Sequence, residues 1–153
     1  MEEFKLKSPQ YLKTDTKGLE ISRWAHKDDL GDNIAIAKRI LKVFSNFRIQ
    51  IRPHVNLGAK TGYGKKEKSN PEFYINKKVS DLKTLKGGDV NDLFKSAKEQ
   101  GVINMVLDIT NSPISIERAI EQLNGKNSNM LELVTILKKD EVVLYDFKNK
   151  KRQ

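Results

Sequence analysis

The chain of 153 residues contains no cysteine. That absence excludes a disulfide framework, cysteine-ligated zinc and thiol catalysis, and it suits a cytosolic site of action. No apolar run is long enough to span a bilayer, and the first residues, MEEFKLKSPQ, lack the hydrophobic core of a signal peptide. A soluble protein with no membrane insertion is expected, with any export depending on a partner or a larger parent chain. Hydrophobic residues make up 37% and charged residues 32%, which predicts a modest core with long basic loops. What is abundant is positive charge: 29 Lys and Arg stand against 20 Asp and Glu, a formal net charge of +9. Such a surplus favours polyanions through counterion release and steering, nucleic acid first and an anionic membrane surface second. A merely soluble basic protein is the plainer alternative.

Periodicity divides the chain into an irregular arm (1–27), a domain (28–147) and a basic tail (148–153). In DDLGDNIAIAKRILKVF, Leu30, Ile34, Ala37, Leu41 and Phe44 recur at helical spacing, with Asp28 or Asp29 as cap. FRIQIRP alternates, Phe47, Ile49 and Ile51 facing one way and Arg48, Gln50 and Arg52 the other, until Pro53 stops the strand. Residues 55–70 hold three glycines and four lysines and read as a long basic loop. A hairpin follows, then a helix from Asp89 to Gly101 carrying Val90, Leu93, Phe94 and Ala97. VINMVLDIT has the continuous β-branched character of a strand buried on both faces. SPISIERAIEQLNG predicts a helix capped at Ser112 and ended by Gly125, and LELVTILKKDEVVLYDF two strands around a polar turn. Trp24 and Phe44 are expected as core anchors. The resulting order, α-β-β-β-α-β-α-β-β, predicts an α/β (α+β) fold in which a single mixed β-sheet is flanked by helices.

The hairpin NPEFYINKKVSDLKT carries charge where a core would want none. Asparagine tolerates positive φ, so Asn76 and Lys77 can form a two-residue turn. The register then sets Ile75 opposite Lys78, Tyr74 opposite Val79, Phe73 opposite Ser80 and Glu72 opposite Asp81. Alternation places Asp81, Lys83 and Glu72 on one face. Facing carboxylates need a compensating cation. Lys83 alone would make an ordinary surface ion-pair cluster. A divalent metal would instead use both carboxylates with waters and phosphate oxygens, leaving Lys83 to act on the attacked phosphate.

Other residues offer further chemistry. His26 and His54 could serve as base and acid in a metal-independent ribonuclease, although nothing in the sequence fixes their separation; surface histidines are the alternative. The loop GAKTGYGKK lacks the spacing of a phosphate loop. Its Lys60, Lys65, Lys66 and Lys68, with Lys86, read as contacts to a nucleic-acid backbone, and Tyr63 as a platform for an unpaired base.

Pro71-Glu72, followed after eight residues by Asp81-Leu82-Lys83, resembles the PD-(D/E)xK nuclease signature, with Glu72 in place of its usual first Asp. Thr84, and Gln100 near the end of the next helix, resemble the RecB-like branch. The wider layout, from His26 to about residue 146, is similar to C-terminal nuclease domains of contact-dependent inhibition and other polymorphic toxins, and to domains closing some phage head-morphogenesis proteins. Asp28, Asp29 and Asp32 stand where many members have a Glu. The resemblance implies a restriction-endonuclease-like core, a metal-dependent nuclease acting on tRNA or DNA, and Mg²⁺ or Mn²⁺ held by Glu72 and Asp81. It further implies Lys83 as the catalytic lysine, Gln100 orienting substrate and, in a toxin, an acidic immunity protein as partner. Some toxin domains of similar layout are metal-independent barnase–EndoU–colicin-like ribonucleases. A non-catalytic basic docking module is the third alternative.

Overall fold

A computed structural model describes residues 11–25, 27–53, 72–90, 93, 95, 103–126 and 131–152. Among these, the elements in chain order are β1 (Tyr11–Lys13), β2 (Leu19–Ser22), α1 (Lys27–Val43), β3 (Ile49–Ile51), β4 (Phe73–Ile75), β5 (Lys78–Thr84), β6 (Asn104–Asp108), α2 (Ile116–Lys126), β7 (Leu133–Lys138), β8 (Glu141–Asp146) and β9 (Lys151–Arg152). The expected class, a mixed sheet with helices, is the one observed. The chain forms two compact units, Met1–Ser80 and Asp81–Gln153, and the division falls inside β5.

In the first unit β1 pairs antiparallel with β2, β2 parallel with β3, and β3 antiparallel with β4. A parallel pair needs a crossover, which α1 supplies between β2 and β3. Asp28 and Asp29 lie inside the first turn of α1, where the helix dipole favours acids, rather than ahead of it as a cap. The buried stripe of α1 is Asn33, Ile36, Ala37, Ile40 and Leu41. Only Ala37 and Leu41 of the predicted stripe are in it; Leu30, Ile34 and Phe44 are half-buried. On the sheet, Leu19, Ile49, Ile51 and Phe73 are 2% exposed or less. Asn76 and Lys77 have φ of 50° and 70°, and the hairpin pairs Phe73, Tyr74 and Ile75 with Ser80, Val79 and Lys78 as the turn chemistry required. Asn76 also anchors the turn, its Oδ1 accepting from Arg48 N at 2.9 Å.

In the second unit β5, β6 and β7 run parallel, with α2 crossing between β6 and β7, and β8 and β9 add antiparallel ladders. Its core gathers Leu85 after β5, Met105 and Leu107 of β6, Ile116, Ala119 and Leu123 of α2, and Val134 and Ile136 of β7. β6 is buried along both faces, as its composition predicted. Lys139 at φ 54° makes the turn between β7 and β8.

Several expectations are corrected. The arm read as irregular contains β1 and β2, because Leu12, Leu19 and Ile21 alternate over runs too short to show a period. The tail contributes β9. The cap of α2 is Ser115, whose Oγ accepts from Arg118 N at 3.0 Å, whereas Ser112 is buried and donates to Gly87 O. Trp24 and Phe44 are half-buried rather than core anchors: Arg23 lies over the Trp24 ring, and Phe44 stacks on Phe47. Of the helix expected between Asp89 and Gly101, Leu93 and Lys95 are described as helical; its other positions beyond Val90 lie outside the described residues.

Candidate functional site

Register fixes where the charges of β5 point. Asp81 pairs with Met105 and Lys83 with Leu107, so both acid and base project to the face that holds the hydrophobic core of the second unit. Two residues further along the same face, Leu85 belongs to that core. Asp81 and Lys83, two positions apart, therefore meet above apolar neighbours. Lys83 Nζ lies 2.9 Å from Asp81 Oδ2, with side-chain exposures of 14% and 5%. Oδ2 is buried and, among the described residues, accepts no aligned hydrogen bond, so the ammonium holds it by charge alone. Nearly buried charges bear a desolvation cost that attraction only offsets when the remaining lone pairs are satisfied. Among the described residues Oδ2 has no aligned donor, and a carboxylate oxygen with open lone pairs can accept a hydrogen bond or a cation.

Glu72 lies just before β4 in the first unit, half-buried, its carbonyl accepting from Arg52 N at 2.9 Å. The paired ladder of the hairpin ends at Phe73 and Ser80, one position short of Glu72 and Asp81. Among the described residues no group of three or more His, Asp or Glu gathers as a metal cluster. Lys86 is exposed just beyond β5. His26, His54, Lys60, Tyr63, Lys65, Lys66, Lys68 and Gln100 lie outside the described residues.

Sequence reasoning missed two features. Arg52, grouped with Arg48 and Gln50 on the polar side of the strand, is 3% exposed, with its guanidinium 5.1 Å from the centroid of Tyr74. Gln50 pairs with Tyr74, so Arg52, two positions on, lies on the same face as that ring, a pairing that alternation alone does not reveal. At the end of β6, Asp108 Oδ1 accepts from Thr110 N and Oγ1, while Lys138 Nζ donates to Ile109 O and Ser112 O. This second set closes backbone around the β6–α2 connection and reads as structural.

One segment, holding the hairpin, β6, α2, β7 and the first half of β8, is similar to a known family. Residues 68–143 match the family of contact-dependent growth inhibition CdiA C-terminal domains. The CdiA-type segment covers just under half of the chain and includes Glu72, Asp81 and Lys83. A chain of the CdiA-CT/CdiI toxin and immunity complex from Burkholderia pseudomallei has the same fold, with a TM-score of 0.58 and 17% identity over 78% of this chain and 86% of that one. No curated protein matches the sequence. Among the described residues, no helix is long and apolar enough to cross a membrane.

Proposed function

We propose that the chain is a toxin-type nuclease that hydrolyses phosphodiester bonds in tRNA or DNA, with Asp81 and Lys83 at its centre. The observation that carries this reading is a carboxylate–ammonium pair, almost buried, whose Asp81 Oδ2 has no aligned donor among the described residues, on β5 within the segment that matches the CdiA C-terminal family. Core packing alone has no use for such a pair, whereas a phosphate site does. Lys83 is the more accessible partner. Its ammonium would donate to a non-bridging oxygen of the attacked phosphate, meeting negative charge as it develops. Asp81 would hold Lys83 in place.

The open Oδ2 of Asp81 fits a ligand of Mg²⁺ or Mn²⁺. Such an ion, when bound, would supply further charge neutralisation and a more acidic water. The assignment of Glu72 as second ligand, and of Gln100 as a substrate-orienting residue, rests on motif resemblance and is tested through Glu72→Gln and Gln100→Ala. The family match also supports delivery into target cells as part of a larger secreted protein, and the toxin–immunity complex of similar fold supports an immunity protein as partner. Against a chain of net charge +9, that partner would present an acidic face.

Incubating the purified protein with tRNA and with plasmid tests the reading. Cleavage that requires Mg²⁺ or Mn²⁺ and stops with EDTA is the expected result. Cleavage that survives EDTA but is lost in His26→Ala or His54→Ala would transfer the chemistry to a metal-independent mechanism. Binding without cleavage under any metal would leave a docking module.

A further inference from the structure

Outside the segment that matches the CdiA family, the first unit contains a cleft of about 710 Å³ between the β1–β2 turn and the turn that joins α1 to β3. That volume is in the range of small-molecule sites. Lys13, Lys17 and Arg48 line it against a single carboxylate, Glu20. The carboxylate is already compensated: Glu20 Oε1 accepts from Arg48 Nη2 at 3.0 Å and Gln50 Nε2 at 2.8 Å. Arg48 uses one donor there and remains 56% exposed, leaving others of its five for a second acceptor. Lys13 and Lys17 are exposed and add two more cations. The wall also includes Phe47, whose ring stacks on Phe44 at 4.7 Å.

The two turns are fastened to each other. Gly18 O accepts from Ile49 N at 2.7 Å, and Gly18 has φ +86°. A Cβ there would meet Phe47 O at 2.7 Å, so only glycine allows the approach. Thr14 Oγ1 donates to Leu19 O and accepts from Thr16 N, closing the first turn from within. The cleft is thus preformed.

Cations around an aromatic wall match one chemistry above others. The geometry points to a nucleotide subsite in this cleft, taking one unit of a single-stranded nucleic acid with its phosphate on Lys13, Lys17 and Arg48 and its base against Phe47. The choice of nucleic acid as the source of the phosphate rests on the nuclease reading; the cleft is lined by residues of the first unit alone, whereas Asp81 and Lys83 belong to the second. A strand held here would be gripped by residues that take no part in its cleavage.

Anisotropy of a fluorescein-labelled dodecauridine, in EDTA and with the probe shown intact on a gel, tests this on the full chain. The double variant Lys13→Ala/Lys17→Ala changes exposed side chains, and melting curves confirm its fold. It is expected to bind at least about tenfold more weakly than wild type. Its dependence of log K on log salt should flatten by about 1.4, two contacts at about 0.7 each. Lys148→Ala/Lys150→Ala, which removes the same charge from exposed positions elsewhere, should lose about threefold or less. Uridine monophosphate should displace the probe at concentrations where inorganic phosphate does not. Equal loss in the two double variants, or none in either, would overturn the subsite, and phosphate competing as well as the nucleotide would remove the role of Phe47. The same proteins assayed for cleavage separate the two ideas. Wild type that cleaves while Lys13→Ala/Lys17→Ala binds normally sinks the cleft alone. Wild type that never cleaves, with selective loss of binding in that variant, sinks the nuclease and keeps the cleft.

Discussion

Each unit has an acid–base pair at its sheet, Glu20 of β2 with Arg48 just before β3 and Asp81 with Lys83 on β5, and the two are built differently. In the first, Glu20 meets Arg48 at 3.0 Å with side chains 18% and 56% exposed, and Gln50 Nε2 donates to the same carboxylate oxygen at 2.8 Å. In the second, Asp81 meets Lys83 at 2.9 Å with exposures of 5% and 14%, over an apolar core, and its Oδ2 lacks an aligned donor among the described residues. The more exposed pair, where attraction matters less, has two donors on its carboxylate oxygen; the nearly buried pair has a carboxylate oxygen with no aligned donor among the described residues, where desolvation is costly. A sequence shaped for stability alone would reverse that arrangement. On the proposed reading, the contrast marks the second pair as the one kept for chemistry.

Breaking the second pair should give the largest effect. Asp81→Ala leaves a nearly buried ammonium without its counter-charge and should cost about 3–5 kcal/mol in urea unfolding. The paired replacement Asp81→Asn/Lys83→Met removes both charges and should recover most of that loss while leaving no cleavage. Full recovery of both stability and activity would make the pair ordinary packing. Next in size, Gly18→Ala forces an alanine into positive φ and against Phe47 O, and should destabilise by about 1–3 kcal/mol. The smallest effect belongs to the first pair: Arg48→Ala should change stability by about 0–1 kcal/mol, read in the same unfolding experiment.

That pair also has a pH signature. The hydrogen bonds from Gln50 and then Arg48 hold the Glu20 carboxyl below the ordinary glutamate range. A lowered folded-state value means that the stabilisation is complete above the unfolded value, about pH 4.3, and is lost as pH falls through the folded value. Unfolding of wild type and Glu20→Gln should therefore converge below about pH 4.3, and curves that stay parallel across it would contradict the assignment.

What was legible in the sequence follows the same division. Strong local chemistry and long periods could be read directly. Asn76 and Lys77 announced a turn that sets the hairpin register, and the β-branched run of β6 announced a buried strand. Short or mixed signals could not. β1 and β2 are three and four residues long, too brief for alternation to stand out from a charged arm. Ser112 and Ser115 both offer a helix cap, and only tertiary contact with Gly87 O commits Ser112 elsewhere. For the site, alternation placed Asp81 and Lys83 on one face. It could not tell that this face is the covered one, because that depends on pairing with Met105 and Leu107 of a strand more than twenty residues away. The burial of Arg52 was hidden for the same reason: alternation gives a side, and the rest of the fold decides whether that side meets water.

The central claim is that Lys83 is kept beside Asp81 for phosphodiester chemistry. Its most direct test is the cleavage rate of tRNA and plasmid by Lys83→Met, a variant that keeps the apolar length of the side chain and loses its charge, with folding confirmed by circular dichroism. The account predicts a rate reduced by about 10²-fold or more relative to active wild type, the scale of losing one charge-stabilising donor at a reacting centre. A folded Lys83→Met protein that cleaves as fast as wild type would contradict it.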